Sequence, residues 1–198
     1  MADHYYTASP SSPSDMRELS FVYREKELVF LTDAGTFSRG RIDPGSALLL
    51  EAMGEMEGVC ADAGCGWGAI GVSLAAVNPS ARIIMTDVNG RATALAKENA
   101  LRNGVANISV VECDGLSLVE GPLDAVVSNP PIRAGKEVVY RIFVQAHERL
   151  CGGGELTAVL RKQQGAPSAR AYLAELFGNC GIIARGGGYH ILRARKED

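Results

Sequence analysis

The residues best placed to do chemistry lie in two short stretches. Asn129-Pro130-Pro131-Ile132 follows an apolar run, Leu123-Asp124-Ala125-Val126-Val127-Ser128, that reads as a buried strand. A side-chain amide and a rigid carbonyl therefore stand at the carboxyl end of that strand, where open α/β sheets hold their ligands. Upstream, Val59-Cys60-Ala61-Asp62-Ala63-Gly64-Cys65-Gly66-Trp67-Gly68 reads as a second buried strand running into a glycine turn and then a helix. That arrangement lets backbone N–H groups approach a nucleotide-like ligand closely.

The glycine stretch permits two registers. Gly66-x-Gly68-x-x-Gly71 satisfies the dinucleotide fingerprint, with Asp87 about where a ribose-binding acid is expected. In the alternative, Asp62-x-Gly64-x-Gly66-x-Gly68, an acidic residue ends the strand, which suits a ligand carrying a cationic amino acid rather than a pyrophosphate.

Alternating strand and helix patterns position both stretches. Strands are predicted near 59–62, 82–86, 108–112, 123–128 and 156–160, and helices near 67–77, 91–102, 138–150 and 168–177. Gly186-Gly187-Gly188 is too short for a helical crossover, so the last strands, near 182–184 and 189–194, must pair antiparallel. Five βα units and a terminal hairpin predict an α/β fold with a seven-stranded, mostly parallel sheet and helices on both faces. Ahead of it, residues 20–23 and 28–31 read as a β-hairpin joined by Arg24-Glu25-Lys26-Glu27, and a helix over about 44–53 follows, with Pro44 in its first turn. Residues 1–17, with Ser9-Pro10-Ser11-Ser12-Pro13-Ser14 in the middle, form a polar arm that cannot bury enough surface to fix itself. Residues 18–198 read as one domain, with the hairpin and helix over 18–55 and the core over 56–198.

Bulk properties agree with a single core. A chain of 198 residues buries roughly 70% of its unfolded surface as one domain. Charged residues at 22% and hydrophobic residues at 46% exclude disordered and fibrous classes. No apolar run approaches the roughly 20 residues of a membrane helix, and the N-terminus lacks signal-peptide order, so a cytoplasmic protein with no membrane partner is expected. The five cysteines, an odd count without a Cys-x-x-Cys pair, read as reduced. His4, His147 and His190 are scattered, so no metal site is expected. A net charge of −3 neither supports nor excludes a nucleic-acid partner, because a local basic face can carry binding that the total hides.

The second register, with Asp87, Asp114 and Asn129-Pro130-Pro131-Ile132 at successive strand ends, resembles the class I S-adenosylmethionine-dependent methyltransferases. The likeness narrows with Phe37-Ser38, Asp43-x-Gly45-Ser46-x-Leu48-Leu49, the stretch from Ser128 to Lys136, and Arg161-Lys162-Gln163-Gln164-Gly165-Ala166. Together these are similar to the ribosomal RNA small-subunit methyltransferase C family, in its short single-domain members. The similarity covers nearly the whole chain, including His4-Tyr5-Tyr6.

The resemblance implies a Rossmann-like class I methyltransferase fold and S-adenosyl-L-methionine as cofactor. It assigns cofactor binding to Asp62, Gly64, Cys65, Gly66, Gly68, Asp87, Val88, Asp114, Gly115 and Asn129. The glycines would wrap the methionine part, Asp87 would accept both ribose hydroxyls, and Asp114 would accept from the adenine amine. Asp62 would order the loop or reach the cofactor's amino group through water. Asn129, Pro130, Pro131 and Ile132 would be catalytic, the Asn129 oxygen and the Pro130 carbonyl holding the N–H bonds of an exocyclic amine.

Ile132 stands where Phe or Tyr often follows Pro-Pro, so stacking on the target base comes from elsewhere or is replaced by apolar contact with Ile132 itself; Phe37 is the candidate, or else a core residue, with Tyr189 and Tyr140 as weaker ones. Phe37, Arg39, Arg41, Arg133, Lys136 and Lys162, joined by Arg161, would hold the substrate. Trp67 replaces a usual Tyr and is expected to pack, and His147 to be a structural partner. The implied reaction is methylation of guanine N2 in ribosomal RNA or the small ribosomal subunit. Asn-Pro-Pro also serves methylation of glutamine and of adenine N6. A cofactor-binding interaction module without transfer is the alternative of another class.

Overall fold

The computed structural model describes residues 13–198. Most of the polar arm, including His4-Tyr5-Tyr6 and Ser9-Pro10-Ser11-Ser12, lies outside the described residues. Strands β1 (Arg17–Tyr23) and β2 (Lys26–Thr32) pair antiparallel as a separate two-stranded sheet. Their connection is shorter than the four charged residues expected from sequence. Arg24 and Glu25 alone make the turn, both at positive φ (45° and 67°), the twist that suits a two-residue hairpin, so Lys26 and Glu27 are free to pair as strand.

Helix α1 (Pro44–Ala52) starts where Asp43 caps it, the carboxylate accepting from the N–H groups of Gly45 and Ser46. There follow β3 (Gly58–Ala63), α2 (Ala69–Val77), β4 (Ala81–Asp87), α3 (Gly90–Arg102), β5 (Ile108–Glu112), β6 (Leu123–Ser128), α4 (Lys136–Arg149), β7 (Leu150–Arg161), α5 (Ala166–Phe177), β8 (Gly181–Gly186) and β9 (Tyr189–Arg195). The seven-stranded sheet has the order β5-β4-β3-β6-β7-β9-β8. Its pairs are parallel from β5 to β7 and antiparallel where β9 meets β7 and β8. Helices α1 to α3 and the hairpin cover one face, around Phe30, Leu49, Trp67, Leu74 and Met85. Helices α4 and α5 cover the other, around Leu116, Phe143, Leu156, Leu173 and Leu192.

Two further expectations need correction. The crossover from β5 to β6 carries no helix, so the five βα units are four strand-to-helix links and one irregular link. Residues 113–122 hold Asp114, Gly115, Gly121 and Pro122, all turn formers, and they seal the core with the buried side chains of Leu116 and Val119 instead. Strand β7 begins at Leu150 rather than near 156. Gly152-Gly153-Gly154 is absorbed as a register shift opposite 123–125, a bulge that glycine permits, rather than ending the strand.

Side chains of α3 hold the hairpin to the domain. Asn103 accepts from Val29 N–H and donates to its carbonyl, both at 2.8 Å. Asn99 does the same for Leu31, at 2.7 and 2.9 Å, and also donates to the Trp67 carbonyl at 2.8 Å. Asn89 caps α3 and reaches the Gly35 carbonyl, while Arg91 reaches that of Ala34, which ties the segment after β2 to the start of α3. Among the described residues no helix is long and apolar enough to cross a membrane, and no group of His, Cys, Asp or Glu could hold a metal ion.

Candidate active site

The parallel strands end at a common rim, and the crossovers leave β3 and β6 in opposite directions, so a crevice opens between them. A cavity of about 780 Å³ fills it. Of the residues singled out from sequence, Gly64, Cys65, Gly66, Asp87, Val88, Asp114, Gly115, Asn129, Pro130, Pro131, Ile132, Phe37, Arg41 and Arg133 line this cavity.

The glycine turn is shaped from beneath. Gly64 and Cys65 donate to the Thr86 carbonyl at 2.9 and 2.8 Å, and Gly66 donates to Asp87 Oδ2 at 2.8 Å. Gly64 and Gly66 hold positive φ (77° and 56°), and a Cβ built on either meets nothing within 4 Å, because the space in front of them is the cavity. Gly68 differs. A Cβ there would stand 3.2 Å from Val72 and 3.3 Å from Ala96, so this glycine lets α2 approach α3 and does not face the cavity.

Asp62 is also off the wall. It is fully buried under the turn, Oδ2 accepting from Gly71 N–H at 2.8 Å while Oδ1 has no partner. Burial pushes its carboxyl up to about 7; the Gly71 hydrogen bond opposes that rise and the nearby Asp87 adds to it. Burial raises the Asp87 carboxyl as well, opposed by backbone N–H groups of Asn89, Gly66 and Val88. Asp87 does not cap α3, a role that Asn89 fills. Asp114 is half-exposed, with Arg141 3.0 Å away.

Asn129 is held from one side. Its Nδ2 donates to Ser46 Oγ at 2.9 Å and to Asp43 Oδ2 at 3.3 Å. Tyr189 donates to Asp43 Oδ1 at 3.4 Å and accepts from Arg161 Nε at 2.9 Å. Asp43, Ser46, Arg161 and Tyr189 all line the cavity. The first two appeared in the sequence only as part of a resemblance; the cap spacing Asp43-Pro44-Gly45-Ser46 signals a helix start but not a second use of its carboxylate.

Other sequence candidates fall outside. Arg39 pairs with Asp15, Lys136 lies over the Tyr140 ring at 4.9 Å, and Lys162 sits in a short turn beyond the cavity. Arg39 and Lys136 are thus engaged by an acidic and an aromatic partner, and none of the three lines the cavity. Tyr140 stacks on Tyr172 at 3.9 Å, outside the cavity, which removes it as a base-stacking residue. His147 packs edge-on against Phe177 at 4.7 Å.

A family model described as methyltransferase small domain matches residues 27–193, the stretch that carries the crevice, the glycine turn and Asn-Pro-Pro. The chain belongs to this family. Within the methyltransferase small domain family it is similar to the uncharacterized protein YbxB of Bacillus subtilis (strain 168), 42% identical over 99% of this chain and 100% of that one. It is 32% identical to the ribosomal RNA small subunit methyltransferase C of Pseudomonas paraeruginosa (strain DSM 24068 / PA7), over 96% of this chain and 57% of that one. A solved structure, the Thermus thermophilus 16S rRNA N2 G1207 methyltransferase (RsmC) in complex with AdoMet and guanosine, superposes with a TM-score of 0.82 at 26% identity. That superposition covers 95% of this chain and 52% of the other, so the chain spans little more than half the length of these named methyltransferases.

Proposed function

We propose that this protein transfers a methyl group from S-adenosylmethionine to an exocyclic amine, guanine N2 of small-subunit ribosomal RNA. The observation that carries the reading is the state of Asn129. Ser46 and Asp43 occupy its amide N–H groups, which leaves Oδ1 as an acceptor on a cavity residue beside the Pro130 carbonyl. An exocyclic amine is a weak nucleophile because its lone pair is delocalised into the ring. Two acceptors that hold its N–H bonds turn that lone pair towards the electrophile and stabilise the positive charge that grows on nitrogen. No general base is needed before attack; the nitrogen sheds a proton to water afterwards.

The cavity suits the cofactor on its own terms. The open space over Gly64 and Gly66 admits a chain that a Cβ would obstruct, and Asp87, held by the Gly66 and Asn89 N–H groups, presents a carboxyl to the cavity. Gly64, Cys65 and Gly66 would hold the methionine part, Asp87 with Val88 the ribose, and Asp114 with Gly115 the adenine. When bound, S-adenosylmethionine supplies a methyl group on positive sulfur, which departs as a neutral thioether. Phe37 and Ile132 would supply apolar contact to the base, and Arg41, Arg133 and Arg161 would meet phosphates. Residues 18–198 would act as one catalytic domain, in the cytoplasm where ribosomal RNA is found.

The test uses labelled S-adenosylmethionine and small ribosomal subunits lacking their own modifications, digested to nucleosides and separated. Label in N2-methylguanosine is the expected result. Label in adenosine or in protein glutamine would move the substrate assignment, and cofactor binding with no label anywhere would overturn the reaction.

A further inference from the structure

Asp43 does more than cap a helix. One carboxylate joins three parts of the chain: it accepts from Gly45 and Ser46 N–H at the start of α1 (2.8 and 3.2 Å), from Asn129 Nδ2 after β6 (3.3 Å), and from Tyr189 O–H at the start of β9 (3.4 Å). A cap needs only the first pair of bonds. The line then continues through the Tyr189 oxygen to Arg161, so both ends of the carboxylate are engaged on the cavity wall.

We propose that Asp43 is a positioning residue for transfer, setting the Asn129 amide with its N–H groups turned back and its oxygen turned to the acceptor amine. This rests on the proposed transfer to an exocyclic amine. Without the carboxylate and Ser46, the amide could rotate by half a turn and present a donor where an acceptor is needed. A negative group on the amide N–H also draws electron density towards Oδ1, which strengthens it as an acceptor while the reacting nitrogen becomes positive. The bond that forms and the bond that breaks are those of the methyl transfer itself; Asp43 exchanges no proton and touches no reacting atom.

The cap and the clamp separate by substitution. Asp43→Ser keeps a side-chain oxygen suited to an N-cap but is too short and uncharged to reach Asn129 and Tyr189. Asp43→Asn keeps an acceptor of the same length without the charge. We expect D43S to melt near wild type, to bind S-adenosylmethionine and RNA with unchanged KM, and to lose kcat by roughly 10- to 100-fold. D43N is expected to recover part of that loss.

A second readout needs no turnover. In nitrogen-15 spectra the Asn129 side-chain amide protons of the wild-type protein should be shifted downfield and exchange slowly, and D43S should remove both features. A D43S enzyme with wild-type kcat, or an Asn129 amide signal that neither variant moves, overturns the inference. If D43S fails to fold, D43N with full kcat and an unmoved amide signal overturns it equally. Failure of the wild-type protein to label any nucleoside sinks the reaction instead, and the clamp is then decided by the amide signal alone.

Discussion

The indole Nε1–H of Trp67 donates to the main-chain oxygen of Phe37 over 2.6 Å, joining the glycine turn to the segment that carries the cavity's aromatic wall. The ring itself packs edge-on against Phe30 at 5.2 Å. Trp67→Phe keeps a ring against Phe30 but removes the donor and part of the buried volume. The expected outcome is a stability loss of about 2–3 kcal/mol, with a several-fold rise in KM for the RNA that exceeds any loss of cofactor affinity. Thermal melts, binding calorimetry and steady-state transfer read the three quantities separately.

Two neighbouring glycines should fail in different ways. Gly66→Ala places a methyl group in open cavity space at a φ of 56°, so the chain should fold with a loss of about 1–2 kcal/mol and bind S-adenosylmethionine at least about tenfold more weakly. Gly68→Ala drives a methyl group towards Val72 and Ala96, so its main effect should be on melting temperature, by separating α2 from α3. Equal loss of cofactor affinity with no loss of stability in G68A contradicts this division.

Asp62 makes stability depend on pH in a defined direction. A folded-state value of about 7, above the ordinary 3.8, means that the folded chain holds this proton more tightly than the unfolded chain. The contribution is therefore full below about pH 4 and is lost as pH rises towards 7, worth up to about 4 kcal/mol. Asp87 acts in the same direction. Asp62→Asn, whose amide oxygen can still accept from Gly71, should gain melting temperature relative to wild type as pH rises from 5 to 8. A difference between the two proteins that stays constant over that range excludes the effect.

Asn129→Ala removes the proposed acceptor from the cavity wall. Transfer should fall by about 100- to 1,000-fold while cofactor still binds, because the glycine turn and Asp87 are untouched. Rapid-quench measurement of one turnover, beside calorimetry with the cofactor, distinguishes this from a simple loss of binding.

The sheet was readable because its strands are short apolar runs separated by turn formers, and Gly187 and Gly188 leave no room for a helix between β8 and β9. The link from β5 to β6 was misread because βα alternation was carried through a stretch where turn residues rule out a helix. At the site, the residues legible from sequence are those at or just beyond strand ends, and Asp87, Asp114 and Asn129 all line the cavity. Residues whose placement depends on tertiary partners were less legible: Arg39 goes to Asp15, and of the two places expected for Asp62, ordering the loop or reaching the cofactor through water, it lies below the turn. The Asp43–Asn129 contact joins positions 86 apart, and no periodicity records such a pairing.

The amides of Asn99 and Asn103 stand in for a missing strand. By meeting alternate residues of β2 with both a donor and an acceptor, they complete the edge that would otherwise be open to another chain. The β2 edge is thereby covered by side-chain amides at and just beyond the end of a helix rather than by charge or a proline. Replacing Asn103, which meets the hairpin and its own helix but not the glycine turn, would uncover that edge, and the damage would show first as self-association in concentrated solution.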